Sequence, residues 1–258
     1  MNLVVIVTSA KQQFLLSIQR NMFRFCVFVS PLAQGLILGM MYMNRSSEEF
    51  TIYAVFGSSL ASFWGTLLFS SVSDIDRERY MGTLESIFIA PAGFINILIG
   101  KIIGNTLWGI ITMGINISFI LLFFQKKLYV SDYGLVILTF FLFMIAMIIM
   151  ALMMAGLFTL SRSARIAMNS LEHPIYILSG VMFPLSMLPF FVRPLSYLLA
   201  PAWAVRLFKL AVYDGAINSK LELLGGLIVV IIGYAVICKV LYKKVEYRVR
   251  VSATLGVY

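Results

Sequence analysis

Charge is scarce in this sequence. Asp, Glu, Lys and Arg make up 12% of 258 residues, about half the share found in soluble domains. So few charged groups cannot cover a globule in water, and the solvent this chain suits is lipid. Histidine is nearly absent: His173 stands alone, which removes the material for a metalloprotease-type zinc site or a His-based triad. The two cysteines, Cys26 and Cys238, sit in separate apolar runs and read as small buried hydrophobes, not as a disulfide framework. No Gly-x-x-x-x-Gly-Lys-Ser/Thr loop occurs; "GFINILIGKI" at 93–102 has the wrong spacing and no hydroxyl after Lys101. The chain is therefore not expected to cradle ATP phosphates, and any ATP and magnesium that drive it belong to another polypeptide. Asp74 and Asp76, at i and i+2, point to different faces of a helix and make a poor aspartyl-protease dyad.

What is present is apolar: 61% of residues are hydrophobic. A helix needs about 20 apolar residues to cross the hydrocarbon. That length predicts six spans at 23–43, 52–72, 102–124, 134–160, 166–184 and 222–242. The expected fold is an all-α polytopic membrane protein, with 1–258 as a single transmembrane domain. Before the first span, residues 11–24 place Phe14, Leu15, Ile18 and Met22 at helical spacing among Lys11, Gln12 and Arg20, which predicts an amphipathic helix lying in the membrane interface. The N-terminal apolar patch has no positive residues ahead of it, so a cleaved signal peptide is not expected.

The net charge is +9, but the basic residues flank apolar runs and collect at the end, "KVLYKKVEYRVR", a pattern for anionic lipid and not for a nucleic acid. With both termini inside, thirteen of the 20 Lys and Arg fall on cytoplasmic segments and seven outside, as the positive-inside rule prefers. A seventh span over 84–100 would nearly even that balance, and Glu85 and Pro91 interrupt the run. Lys126 and Lys127 are left on the outer side, against the rule.

This orientation puts 73–100 in the cytoplasm. Its centre reads "RERYMGTLESIFIAP" (77–91): mixed charge, a Gly-Thr, an amphipathic turn and a Pro. "SDIDRER" suits a water-exposed helix, and Pro91 with Gly93 breaks the second half before the chain re-enters the membrane. On pattern alone this is either a solvated loop with an interfacial helix or a surface offered to a soluble partner.

"ERYMGTLESIFIAP" followed by "LIGK" resembles the cytoplasmic segment of ABC-transporter type-2 permeases, the membrane subunits of many bacterial drug, antibiotic and polysaccharide exporters. The resemblance rests on Glu78, Arg79, Gly82, Thr83, Leu84, Glu85, Pro91, Gly100 and Lys101; Tyr80 departs from it, standing where an acidic residue is usual. A second stretch, 178–209, is similar to the family's segment before the last span through Ser179, Gly180, Phe183, Pro184, Leu188, Pro189 and Pro201. The resemblance implies a bacterial inner-membrane subunit that pairs with a second permease subunit and with an ABC ATPase, among membrane lipids. It also implies that 73–100 is a coupling helix. Asp76, Arg77, Glu78, Arg79, Thr83 and Glu85 would couple to the ATPase there, Gly82 would allow close backbone approach, and Pro91 would fix the turn back.

Two further regions carry functional expectations. Glu172, His173 and Pro174 lie in the fifth expected span, and with Pro184 and Pro189 they are candidates for a substrate route or gate, or for an interfacial helix end. Residues 185–221, broken by Pro189, Pro194 and Pro201, predict short re-entrant helices on the outer side. There Arg193, Arg206 and Lys209 are expected to meet lipid headgroups, with an anionic substrate as the alternative. The fourth span is rich in Met (144, 147, 150, 153, 154) and, with no extra domain for carbohydrate, suits a hydrophobic or amphipathic cargo. A polysaccharide or glycolipid exporter permease is the alternative, and a membrane-embedded lipid- or peptide-modifying enzyme is a more remote one.

Overall fold

A computed structural model describes residues 2–159, 170, 173–214 and 216–252, and every regular element among them is helical. Helices α1 (Leu3–Ser17) and α2 (Asn21–Tyr42) are followed by the short α3 (Ser47–Glu49). This runs through a π-helical stretch, Phe50–Gly57, into α4 (Ser58–Tyr80). The six-residue α5 (Leu84–Ile89) precedes two long helices, α6 (Phe94–Phe124) and α7 (Tyr133–Thr159). Residues 173–178 form α8, and a 3-10 turn at Leu185–Met187 leads to α9 (Arg193–Ser196), α10 (Ala200–Tyr213) and α11 (Ile217–Ser252).

Five helices are long and apolar enough to cross a membrane: Asn21–Tyr42, Ser47–Tyr80, Phe94–Phe124, Tyr133–Leu157 and Ile217–Val245. They coincide with the expected spans at 23–43, 52–72, 102–124, 134–160 and 222–242, and several run past them. The expected span 166–184 is described only in part, since 166–169, 171 and 172 lie outside the described residues. Its helical portion stops at 178, because the chain turns at Ser179 and Gly180, where Gly180 takes φ +69°. Among the described residues 185–221, α10 is 14 residues long, about 21 Å, too short to cross a 30 Å hydrocarbon core.

The helix α4 is the buried axis of the molecule, with Leu60, Phe63, Trp64 and Leu67 enclosed on all sides. A helix enclosed by protein can carry hydroxyls if they return their hydrogen bonds to its own backbone. Ser62 donates to the Ser58 carbonyl at 2.8 Å and Ser70 to the Thr66 carbonyl at 2.6 Å. Where the π-helix becomes α4 the backbone register changes, and Ser58 and Ser59 donate to the carbonyls of Ala54 and Val55. Asn116 of α6 ties three helices together. Its amide donates to the Pro31 carbonyl of α2 at 2.7 Å, and its oxygen accepts from Ser58 of α4 at 2.6 Å.

The expected amphipathic helix at 11–24 is corrected. Helix α1 begins earlier and ends at Ser17, a break follows, and Arg20 is the N-cap of the first span. The 3.6-residue pattern continues across that break: Met22 belongs to α2, and Phe14 stacks on Trp108 of α6 at 4.6 Å. One face of α1 packs hard on α6 at Gly100 and Gly104, a Gly-x-x-x-Gly pair. A Cβ at either position would lie 2.6 Å from a backbone oxygen of α1, Ile6 O or Ala10 O.

Candidate functional site

The segment 73–100 folds as a helix end, a tight cap, a short helix and a second tight turn. The last turns of α4 carry Asp76, Arg77, Glu78 and Arg79, all partly buried. The helix then stops at Gly82. Gly82 N–H donates to Arg79 O at 3.1 Å and Thr83 N–H to Glu78 O at 3.0 Å, the paired bonds of a Schellman cap. The glycine is needed for its φ of +69°; no atom lies within 4 Å of the position its Cβ would take.

Helix α5 follows, with Leu84 buried beneath it and Phe88 stacked on Phe94 of α6 at 3.8 Å. Glu85 occupies its second position. The chain returns through Ala90–Gly93, closed by Gly93 N–H to Ala90 O at 3.1 Å with Pro91 in the second place of the turn. Gly93, at φ +77°, caps the start of α6.

The base of this excursion is locked. Lys101 of α6 donates to the Glu78 carboxylate, and Thr83 donates to the same group, so Glu78 closes the loop on itself. Within this chain, then, the Glu78 carboxylate already has two partners. The segment also presents large apolar groups outward: Tyr80 is 93% exposed, Met81 63% and Ile89 83%. Tyr80 and Met81 precede the cap and Ile89 ends α5, and sequence reasoning passed over all three as site residues. Their signal was legible as large apolar groups in a segment assigned to water.

One turn above Glu78 lies a second cluster that the sequence reading did not assemble. The Asp74 carboxylate, 3% exposed, accepts from Arg20 Nη1 at 2.8 Å and from Asn105 Nδ2 at 3.0 Å, with Gln13 donating as well. Ser17 accepts from Arg20 at 2.8 Å. The cluster joins α1, the 18–20 link, α4 and α6, so the start of the 73–100 segment is fastened to the N-terminal helix. Asp74 and Asp76 indeed face different ways: Asp74 is buried and Asp76 is partly exposed.

The candidate gate residues are described only in part. Glu172 lies outside the described residues; His173 and Pro174 are exposed at the start of α8. Pro184 caps the 3-10 turn, and exposed Pro189 lends its carbonyl to Val192 and Arg193. The cations of 185–221 are engaged within the chain. Arg193 donates to Leu188 O and Ser186 O, Arg206 stacks on Tyr197 at 4.1 Å, and Lys209 lies over the Tyr53 ring at 5.2 Å. Among the described residues no group of three or more His, Cys, Asp and Glu is placed to hold a metal ion.

No individually curated protein matches the chain. The family model described as ABC-2 type transporter matches residues 4–213, which takes in α1, the 73–100 segment and α10. With that match over most of its length and several helices fit to cross a membrane, the chain belongs to the ABC-2 type transporter family and is a multi-pass permease subunit of an ABC transporter.

Proposed function

We propose that this subunit belongs to an exporter, pairs with a second permease subunit, and is driven by an ATPase on a separate chain that docks against 80–91. The observation that carries this reading is the shape of 73–100. A capped helix end and a six-residue helix stand on a locked Glu78–Lys101 base, with Tyr80, Met81 and Ile89 facing out. A rigid base is what a mechanical coupling needs, since a push on a floppy loop is lost in the loop. Exposed aromatic and aliphatic anchors suit a groove on a partner. The docking contact on this view is chiefly apolar, with Asp76, Arg77 and Arg79 at its edge.

The orientation that follows puts this face and both termini in the cytoplasm of a bacterial cell, as the Lys and Arg distribution favours. The apolar, Met-rich α7 supports a hydrophobic or amphipathic cargo such as a drug, peptide antibiotic or lipid-like compound. The test is purification of the tagged chain from its native host in mild detergent, with Ile89→Asp and Tyr80→Asp beside wild type. An ATP-hydrolysing chain is expected with wild type and lost from both variants. An ATPase retained equally by all three would remove this surface from the docking site, and none with wild type would remove the separate-ATPase reading.

A further inference from the structure

A groove of about 480 Å³ runs beside the coupling segment, between α1 and the junction of α4, α5 and α6. Its size falls in the ~300–1,000 Å³ range of small-ligand sites. One wall is a stripe along α1 at i, i+4 spacing: Val4, Thr8, Gln12 and Leu16. Polar groups hold the middle of that stripe and aliphatic groups its two ends. Arg77 and Lys101 stand on the other wall.

The charges there do not cancel. Glu78 also lines the groove, but Lys101 takes it up, and its approach to Arg77 is only 3.9 Å. Arg77 Nε is buried and finds no hydrogen-bond partner among the described residues. The side chain as a whole is 27% exposed on the groove wall, and the acceptor that suits a guanidinium best is an anionic oxygen of carboxylate or phosphate type.

Depth selects between anions. Helix α6 has 31 residues, about 46 Å of helix against a hydrocarbon core of about 30 Å. Its far end is "LLFF", so the surplus falls at the Lys101 end, and the groove lies where lipid headgroups lie. Helix α1 agrees: Leu3, Val7 and Leu15 are exposed on it, an outward face made for acyl chains.

We propose that this groove binds one anionic phospholipid. The phosphate accepts from Arg77, Thr8 and Gln12 supply hydrogen bonds to the headgroup, and the aliphatic ends of the stripe receive the start of an acyl chain. A lipid so held would brace α1 against the coupling segment. The inference needs the membrane placement of the chain but neither an ATPase nor a transport direction, so it stands or falls separately from the proposal above.

The test is native mass spectrometry of the delipidated full chain in detergent, offered equal amounts of phosphatidylglycerol and phosphatidylcholine. Wild type is expected to keep one phosphatidylglycerol in preference. Arg77→Gln and the groove-filling Thr8→Trp should each weaken that retention by about tenfold or more, roughly the loss of one charge-assisted contact. Lys11→Gln, exposed on α1 outside the groove, should leave it unchanged. A melting curve accompanies each variant; if Thr8→Trp fails to fold, Arg77→Gln decides. Equal retention of the two lipids, or wild-type retention in a folded Arg77→Gln, overturns the proposal. Displacement of the lipid by millimolar inorganic phosphate would reassign the groove to free phosphate. Unchanged lipid retention with loss of ATPase co-purification in both groove variants would assign it to the partner protein instead.

Discussion

Lys101 of α6 is bonded to the carboxylate of Glu78 on α4, across 23 positions of chain that contain α5 and both tight turns. Both side chains are mostly covered, 17% and 15% exposed. The pair therefore lies between surface pairs worth about 0–1 kcal/mol and buried pairs whose rupture costs about 3–5 kcal/mol.

Breaking that pair should loosen the segment without removing it. Lys101→Met or Glu78→Gln is expected to cost about 1–2 kcal/mol and to open 81–93 to limited proteolysis. The exchange Glu78→Lys with Lys101→Glu should restore protection. Protection unchanged in both single variants would show that the cap and the Phe88–Phe94 stack hold the loop by themselves.

Gly82 and Gly100 are predicted to fail for different reasons. Gly82→Ala meets no neighbour but must hold φ +69°, at about 1–2 kcal/mol, and Gly82→Asn should recover part of the loss because Asn tolerates that region. Gly100→Ala meets Ile6 O at 2.6 Å and must displace α1. Cysteine labelling at a site on the covered face of α1, such as Ala10→Cys, reads the difference. It should rise with Gly100→Ala and stay low with Gly82→Ala.

Asp74→Ala should be among the most damaging single changes at the inner end of the molecule. It leaves Arg20 with its charge partly buried and unpaired, at about 3–5 kcal/mol. Replacing both partners, Arg20→Met with Asp74→Leu, is expected to recover a good part of the loss in a detergent melting curve. Equal loss in the single and double variants would mean that the Gln13 and Asn105 contacts, not the ion pair, carry the cluster.

At the opposite end, Asp132 caps α7 by accepting from Leu135 N–H at 2.9 Å and pairs with Lys220 at 2.9 Å. The backbone bond first, and the Lys220 contact with it, hold the Asp132 carboxyl below its ordinary range. A folded value below the unfolded one gives stability that is present above the ordinary carboxylate range and lost as pH falls through the depressed value. Melting temperature followed downward from pH 6 should therefore drop less in Asp132→Asn, which keeps the cap but cannot titrate. Parallel curves for wild type and variant would count against this linkage.

Five of the six expected spans, and the chemically distinct stretch between two of them, were legible because lipid imposes a length and a composition that leave little choice. Some twenty apolar residues, basic flanks, and a charged stretch closed by Gly and Pro can each be read locally. The end of α1 was not legible, since a helical period continues across the break at 18–20, where Arg20 pairs with Asp74. Nor was the pairing of Glu78: charge pattern tells that a carboxylate is there, not whether Lys101 reaches it. The pair Gly100 and Gly104 was on the page as a Gly-x-x-x-Gly, but which helix it receives is a matter of tertiary packing.

The sequence by itself determined that the chain lives in lipid, roughly where it crosses, and which segment stands apart as chemically different. Tertiary structure alone decided which charges are spent inside the chain and which apolar groups are left facing out. The physical reason is range: hydropathy acts over a contiguous stretch, whereas a salt bridge, a helix crossing or a groove depends on atoms brought together from distant positions.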